Sequence, residues 1–515
     1  MNLLKAITTV GGYTLLSRVF GFIRDILIAN FLGAGAVADA FFVAFRFPNL
    51  FRRLFAEGAF AAAFVPIFSS SLENEPRDQS LLFANQAFSV LGLMLLFFVV
   101  LMEIAMPWAM YVLAPGFDAV AGKMEMATEF SRIAFPYLLF ISLVSLQSGV
   151  LNSINRFAAA AAAPVLLNVT FITAMLAFPG DAEHTGLVLS WAVFVAGLVQ
   201  FIWLIYHCRR EGFPIRFVRP RLSPKVKLLG KRIIPVVFGA SLYQINLLIG
   251  TILASLVADG AVSYLYYADR VTQLPLGVVG VAVGTALLPS LSRQLAANDH
   301  VAAAESQNRG LEFALLLTLP AAFALVVIAT PVISVLFERG AFDSTAVHAT
   351  AAALVAYATG LPAYVLIKVL APGFFARHDT KTPVKIAAVA MVANIVLNLI
   401  FMRYWGHVGI AYAASVSAWF NALALAVVLV RRGELQFDQR LLRSAPRVLL
   451  ASGGMAAGLY VANTQYGDVL FADNQLPGLG LGILVIGGGA CYGLLTLVFG
   501  VLKLQEIKRL MKRST

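Results

Sequence analysis

The stretch FSVLGLMLLFFVVLMEIAMPWAMYVL, residues 88–113, contains one charged side chain, Glu103. About 20 apolar residues in a helix cross the hydrocarbon core of a bilayer, so this stretch is predicted to span a membrane. Other apolar segments approach or exceed the same length. They are residues 165–178, 186–205, 311–336, 384–402, 408–430 and 479–502.

The composition of the whole chain agrees with a membrane protein. Of its 515 residues, 60% are hydrophobic and 12% are charged, whereas soluble domains contain about 45–50% apolar residues. The net charge of +12 is collected in short loops between the apolar segments, which is typical of membrane topology rather than of nucleic-acid binding. Cys208 and Cys491 show no metal-ligand or disulfide spacing, so we expect neither a metal site nor a cofactor.

Polar turns divide the apolar pattern into about fourteen helices, which predicts an all-α polytopic membrane protein. The clearest turns are ENEPRD at 73–78, NRF at 155–157, CRREG at 208–212 and RHDTKTP at 377–383. An even number of spans places both termini on one side of the membrane. If that side is the cytoplasm, the outer loops hold only about three basic residues, and the positive-inside rule then predicts cytoplasmic termini. These outer residues are Lys123, Arg339 and Arg403.

A weak internal repeat predicts two lobes. FAAAFVPIFSSSL at 60–72 aligns with VGTALLPSLSRQL at 283–295, an offset of 223 residues. Such a repeat predicts two pseudo-symmetric lobes of six helices each, a common transporter plan in which the substrate binds between the repeats. The expected divisions are helices 1–6 in residues 1–207, a basic cytoplasmic linker at 208–224, helices 7–12 in 225–432, two C-terminal helices in 433–502 and a basic cytoplasmic tail at 503–515. We expect the linker to lie beside anionic lipid headgroups.

Eight basic residues fit none of the predicted loops. They are Arg18, Arg24, Arg46, Arg52, Arg53, Arg132, Arg270 and Lys368. Four of them, Arg18, Arg24, Arg52 and Arg270, are predicted to lie well inside spans. An arginine that faces lipid at mid-membrane costs about 2.5–3.5 kcal/mol, so these side chains must face a water-filled cavity or a partner. Pro48 removes a backbone hydrogen bond from the second helix and is expected to kink it.

Nearby acids reduce this positive charge without cancelling it. Asp25 can pair with Arg18 or Arg24, and Glu57 lies four residues after Arg53, at a spacing that allows an ion pair. The planar arginine fork binds phosphate through two bonds and keeps its charge at physiological pH, so the surplus predicts an anionic, phosphate-bearing ligand. The candidate substrate-binding residues are Arg18, Arg24, Asp25, Asp39, Arg52, Arg53, Glu57, Asp269 and Arg270. A purely structural role for these charges remains an alternative.

The sequence does not favour an enzyme. It lacks the G-x-x-x-x-G-K-[ST] phosphate loop. Arginines beside the candidate acids would hold those acids ionised, which disfavours acid catalysis. We therefore expect a transporter with no catalytic residue.

Four motifs resemble one transporter family. They are SRVFGFIRD at 17–25, ADAFFVAFRFPNLFRRLFAEGAF at 38–60, YYADR at 266–270 and VLAPGFFARHDTKTPVK at 369–385. Together with the fourteen-span layout, they are similar to the MurJ (MviN) family of lipid II flippases, within the superfamily of multidrug, oligosaccharidyl-lipid and polysaccharide exporters. The likeness covers essentially the whole chain.

This resemblance implies a substrate and a mechanism. The family carries undecaprenyl-pyrophosphate-linked disaccharide pentapeptide from the cytoplasmic to the periplasmic leaflet of the bacterial inner membrane for peptidoglycan synthesis, by alternating access. It further implies that residues 433–502 form a groove for the lipid tail. Family cavity residues match Arg18, Arg24, Asp25, Asp39, Arg52 and Arg270.

The resemblance also leaves differences and alternatives. Gln273 stands where some relatives have an acid, and Asn394 and Asn398 have no acid between 244 and 255 to complete the sodium site of other relatives, so sodium coupling is not carried over. Expected partners are lipid II, membrane lipids, and cell-wall synthesis and division proteins, with a monomeric chain. The alternatives are an exporter of another lipid-linked oligosaccharide and a non-transporting scaffold for cell-wall synthases.

Overall fold

The structure is a computed structural model that describes residues 3–52, 60–470 and 477–501. Within these ranges the chain forms helices and no strands, which confirms the predicted all-α class. The α-helices are α1 (Leu3–Leu32), α2 (Ala36–Phe51), α3 (Ala61–Asn74), α4 (Arg77–Leu113), α5 (Lys123–Ala134), α6 (Tyr137–Ser153), α7 (Phe157–Ala177), α8 (Ala182–Arg210), α9 (Pro224–Ser255), α10 (Ala261–Ala296), α11 (His300–Val327), α12 (Ala329–Phe337), α13 (Ser344–Phe375), α14 (Lys381–Arg431), α15 (Gln439–Leu470) and α16 (Pro477–Val498). A short 3-10 helix covers Pro115–Ala119.

Eight helical segments in the described ranges are long and apolar enough to cross a membrane. They are α4, α5 together with α6, α7, α8, α11, α13, α14 and α16. Large apolar side chains on α4 are open to the surroundings, for example Phe97, which is 71% exposed. The chain is therefore a multi-pass membrane protein, whereas the number of fourteen spans stays a prediction. Helices α1, α9, α10 and α15 have comparable lengths but carry several charged residues.

Helix α14 consists of two helices that meet at Gly406. A straight helix of its 51 residues would be about 76 Å long, more than twice the thickness of a hydrocarbon core. Gly406 has φ +57° and ψ −133°, a conformation that glycine adopts without steric cost. A β-carbon on Gly409 would lie 2.3 Å from the Phe401 carbonyl oxygen, so the two helices approach closely after the break. The predicted spans 384–402 and 408–430 lie on either side of it.

The chain divides into two compact units. The first contains the described residues up to Ser263 together with Arg339–Asp343, and the second contains Tyr264–Glu338 and the residues from Ser344 onward. Helix α9 thus belongs to the first unit. The predicted boundaries at 207, 224, 432 and 502 stay predictions.

Aromatic rings fill the interior of the first unit, where α1 packs on α7, α2 on α5 and α6 on α8. The rings of Phe41 and Phe45 stack with centroids 5.8 Å apart. Phe171 of α7 lies 5.5 Å from Phe45. Burial of such rings supplies much of the packing energy of a helix interface, and it holds the charged part of α1 against α7.

The second unit has an aliphatic interior. Leu291 of α10, Leu311 of α11, Val369 of α13 and Leu429 of α14 are buried in one cluster. Gly360 of α13 permits close approach to α14, because a β-carbon there would lie 2.6 Å from the Ser415 hydroxyl. Small residues at such contacts are typical of helix packing in membranes.

Candidate functional site

Arg24 and Asp25 form a buried ion pair on α1. Arg24 Nη2 and Nε donate to Asp25 Oδ1 over 2.7 and 3.0 Å. Its guanidinium carbon lies 5.5 Å from the ring centroid of Phe171 and 5.9 Å from that of Phe45. Arg24 is 5% exposed and Asp25 2%, so the pair is desolvated and is held by charge-assisted bonds and by the faces of two rings.

Asn168 of α7 completes this cluster. Arg24 Nη1 donates to Asn168 Oδ1 over 2.9 Å, and Asn168 Nδ2 donates to the Ser17 carbonyl oxygen over 2.9 Å. Gly21 makes room for it, since a β-carbon at Gly21 would lie 3.4 Å from Asn168 Nδ2. The buried amide therefore ties α1 to α7 and fixes the orientation of the arginine.

Asp39 of α2 accepts hydrogen bonds from three separate groups around the start of α10. Ser263 donates its backbone N–H over 2.8 Å and its hydroxyl over 2.5 Å to Asp39 Oδ1. Gly260 N–H donates to Oδ2 over 2.8 Å. An acid at the N-terminus of a helix satisfies otherwise unpaired N–H groups and interacts favourably with the helix dipole, so Asp39 attaches α2 to the first turn of α10.

Lys123 joins two acids at the same place. Its Nζ donates to Asp39 Oδ2 over 2.8 Å and to Asp259 Oδ1, and it lies 4.2 Å from the ring centroid of Phe117. Lys123 is 3% exposed. The sequence predicted Lys123 as a residue of an outer loop; the structure instead makes it the first residue of α5 and buries its charge between carboxylates.

The arginines near the end of α2 have partners in the first unit. Arg46 Nη1 donates to Thr251 Oγ1 of α9 over 2.6 Å. Arg52 Nε donates to Asn49 Oδ1 over 2.9 Å, and Asn49 Nδ2 donates to the Phe45 carbonyl oxygen over 2.8 Å. Both arginines are half-buried. Helix α2 continues through Pro48 to Phe51.

Arg18 differs from the other candidates on α1 because it is exposed. In the described part of the chain it forms no ion pair. Arg53 and Glu57, which the sequence predicts as a pair, lie outside the described residues.

Arg270 and Asp269 lie side by side on α10 in the second unit, and both are half-buried. Arg270 Nη2 donates to the Tyr266 hydroxyl over 2.9 Å, and its guanidinium carbon lies 5.0 Å from the Tyr266 ring centroid. Gln273, the residue that departs from some relatives, donates its amide to Asp269. The YYADR motif therefore orients its arginine with its own tyrosine.

The described residues contain no group of three or more histidine, cysteine and acidic side chains that could hold a metal ion. Asn394 and Asn398 are buried on α14, and Asn398 Nδ2 donates to Asn394 Oδ1 over 3.0 Å. The expectation of neither metal nor cofactor stays a prediction.

The structure thus separates the predicted site residues into groups. Arg24, Asp25 and Asp39 are held by buried partners in the first unit, and Arg270 and Asp269 belong to the second. Sequence reasoning missed the partners Asn168, Lys123 and Ser263. Asn168 could have been noticed, because it is a lone asparagine in the apolar segment 165–178 and buried amides need partners.

Comparison with known proteins identifies relatives over the full length. The sequence profile of the family described as lipid II flippase MurJ matches residues 28–475. A protein of Rhizobium meliloti (strain 1021), described as a probable lipid II flippase MurJ, is 45% identical and is covered over 97% of its length by the whole of this chain. A protein of Burkholderia cenocepacia described as lipid II flippase MurJ is 40% identical over 85% of each chain.

Solved structures share the fold. A lipid II flippase MurJ in an inward closed conformation matches with a TM-score of 0.79 and 24% identity, over 95% of this chain and 98% of that one. An inward-facing transporter of the multidrug resistance MATE family matches with a TM-score of 0.66 and 17% identity, over 83% and 98%. At these identities the structural likeness establishes only the fold. The family is established by the sequence relatives.

Proposed function

We propose a direction and a route for the transport of lipid II by this chain, which belongs to the MurJ family of lipid II flippases. The assignment of function rests on the 45% identity between this chain and the Rhizobium meliloti protein over the full length of the chain. A flippase moves its substrate between leaflets without changing it, so the chain acts as a transporter in peptidoglycan synthesis and not as an enzyme.

The proposed direction is from the cytoplasmic to the periplasmic leaflet of the bacterial inner membrane. The distribution of basic residues supports cytoplasmic termini. Nine basic residues lie between Arg209 and Arg232 alone, against one acid, Glu211. In this orientation the substrate enters on the side of the basic linker and leaves on the opposite side.

We propose that Arg18, Arg52 and Arg270 bind the pyrophosphate of the substrate. Arg18 is exposed, and Arg52 and Arg270 are half-buried, so none of the three side chains is fully enclosed in the packed interior. Tyr266 orients Arg270. A guanidinium that donates two parallel bonds to phosphate oxygens provides both affinity and geometry.

In this proposal the buried charges support the binding residues. The Arg24 guanidinium is engaged by Asp25 and Asn168, and Asp39 receives bonds from Gly260, Ser263 and Lys123. They would position α1, on which Arg18 lies, and α2, which ends just before Arg52. Arg53 and Glu57 remain predicted members of the site, and Asp269 would hold Gln273 beside Arg270.

The transport cycle that we propose is alternating access by the two lobes. The membrane potential contributes about 2.3 kcal/mol per elementary charge per 100 mV, which draws an anionic headgroup outward and an empty, positive site inward. The undecaprenyl tail would stay in the bilayer, along α15 and α16. Ile483 and Ile486 of α16 support this because they are 58% and 75% exposed, while the Tyr492 hydroxyl ties the same helix to the Leu316 carbonyl oxygen of α11 over 2.7 Å.

Reconstitution into liposomes tests the function. Purified chain should translocate labelled lipid II faster than a lipid-linked oligosaccharide without the pentapeptide, and Arg18→Ala should lower the rate while Arg403→Ala, an exposed arginine of α14, should not. Equal rates for both lipids would favour an exporter of other lipid-linked oligosaccharides. Failure to move either lipid, with growth of depleted cells rescued by Arg52→Ala, would favour a scaffold for cell-wall synthases.

Two further expectations concern assembly. We propose that the chain acts as a monomer and that cell-wall synthesis and division proteins contact it from outside the transport path. Light scattering in detergent checks the first of these, with a dimer mass as the contrary result.

A further inference from the structure

The linker between α8 and α9 is held in an extended form along α4. Residues 213–223 form neither helix nor strand. The Arg216 N–H donates to Asn85 Oδ1 over 2.9 Å, and the Val218 N–H donates to Ser89 Oγ over 2.8 Å. Asn85 and Ser89 are one turn apart on one face of α4. The two hydrogen bonds therefore fix which turn of α4 the linker backbone contacts.

Alternate linker side chains pack against the first unit. Phe213 and Ile215 are buried. The Phe217 ring lies 4.7 Å from that of Phe88, and a β-carbon on Gly92 would lie 3.0 Å from Phe217 Cε1. Because side chains alternate along an extended chain, this packing turns Arg216 away from α4.

The linker and the helix ends beside it expose basic side chains. Eight of the nine basic residues between 209 and 232 are exposed, and in the described part of the chain none of these eight forms an ion pair. They are Arg209, Arg210, Arg216, Arg219, Arg221, Lys227, Lys231 and Arg232. The ninth, Lys225, pairs with Glu75, and the one acid in the range, Glu211, pairs with Arg156.

The linker contacts α4 at the level where a membrane interface is expected. Exposed Trp108 and Tyr111 near the far end of α4 are typical of an aromatic belt at one interface. A hydrocarbon core needs about 20 helical residues, which places the other interface near residues 88–91, where the linker is attached. Phe217 and Leu222, 66% and 63% exposed, lie between the arginines, a combination typical of segments at the boundary between headgroups and acyl chains.

We propose that the surface formed by Arg216, Arg219 and Arg221 is a docking site for anionic phospholipid headgroups of the leaflet that faces the linker. Charge complementarity selects anionic phospholipid over zwitterionic lipid, and the anchors on α4 make the site a fixed one instead of a mobile basic loop. The proposal holds whichever substrate the chain carries and whichever leaflet the linker faces.

The first test removes the charges. Full chain in dodecyl maltoside is titrated with mixed micelles that contain dioleoylphosphatidylglycerol, and separately with phosphatidylcholine. Each basic residue near an anionic surface contributes about a factor of five in binding, so R216Q/R219Q/R221Q should bind phosphatidylglycerol about a hundredfold more weakly. The matched variant K381Q/K385Q/R431Q removes three exposed charges of the second unit. Its binding of phosphatidylglycerol should weaken by less than about thirtyfold, a third of the factor expected for the linker variant. Equal losses in the two variants would overturn the proposal.

The second test keeps every charge and removes the anchors. Asn85→Leu with Ser89→Ala takes away both acceptors of the linker N–H groups, and binding of phosphatidylglycerol should weaken by at least about fivefold, the factor for one of the two hydrogen bonds. The unfolding temperature in phosphatidylcholine micelles shows that this variant is folded. Binding equal to that of the unaltered chain would mean that diffuse charge is sufficient and would overturn the fixed site.

Discussion

Two buried charge clusters of the first unit differ in the sign of the group at their centre. In one, Arg24 donates to Asp25 and Asn168 between two aromatic rings. In the other, Asp39 accepts from Lys123, Ser263 and Gly260. The first joins α1 to α7, and the second joins α2 to the start of α10. Buried charge inside a span therefore marks helix attachment here, whereas the exposed Arg18 is one of the residues that we propose to bind the ligand.

The loss of the central acid, Asp39, is expected to lower the stability most. Asp39→Ala leaves Lys123 buried with only Asp259 and leaves the start of α10 without its acceptor, so the free energy of unfolding should fall by about 3–5 kcal/mol, as for other broken buried ion pairs. Thermal unfolding in detergent measures this. Asp259→Ala is the control: the Asp259 side chain is 47% exposed, and its loss should cost at most about 1 kcal/mol. Equal effects of the two changes would remove the helix-attachment role of Asp39.

The loss of the arginine fork should have the next largest effect. Arg24→Lys keeps the positive charge but cannot reach both Asp25 and Asn168 with a planar fork. The free energy of unfolding should fall by about 1.5–3 kcal/mol, the range for hydrogen bonds to charged groups. Denaturant unfolding in detergent measures it. A lysine variant as stable as the parent would show that charge alone holds the cluster.

A smaller effect is expected from the neutral partner. Asn168→Leu removes one acceptor from Arg24 and one donor from the Ser17 carbonyl, and about 1–2 kcal/mol of unfolding free energy should be lost. If Arg24→Lys and Asn168→Leu act through the same bond, the double variant should lose less than the sum of the two. Additive losses would contradict that coupling.

The smallest effect on stability is expected from an ion pair in a loop of the second unit. This pair also serves as an exposed reference for the two buried clusters. Hydrogen bonds from Thr382 and Arg432 hold the pKa of Asp379 well below its usual range. Its folded-state pKa is lower than its unfolded value of about 3.9, so its contribution to stability is present above that value and is lost as the pH falls toward the folded pKa. The difference in unfolding temperature between the parent and Asp379→Asn should therefore shrink between pH 6 and pH 3. A difference independent of pH would contradict this linkage.

The helices follow from local sequence, whereas the site partners do not. Residues 88–113 are apolar enough to fix a span without any knowledge of neighbours, and the predicted turns at 73–78 and 377–383 include the breaks between α3 and α4 and between α13 and α14. Asp25 had two candidate partners in the sequence, Arg18 and Arg24, and only the structure distinguishes them.

Long-range partners were beyond sequence reasoning for a physical reason. Asn168 is 144 positions from Arg24 and Ser263 is 224 from Asp39, and no spacing rule connects such residues. Lys123 was misplaced because a lysine at the end of a loop and a lysine at the start of a helix have the same local pattern. Burial of its charge depends on Asp39 and Asp259, which other segments supply.

The translocation rate of labelled lipid II in proteoliposomes tests the central claim most directly, with Arg270→Ala compared with Arg403→Ala at equal unfolding temperatures. If Arg270 binds the pyrophosphate, its loss should slow transport by at least about tenfold, the factor for a charge-assisted hydrogen bond, and Arg403→Ala should transport at the parent rate. A normal rate for Arg270→Ala would contradict the account.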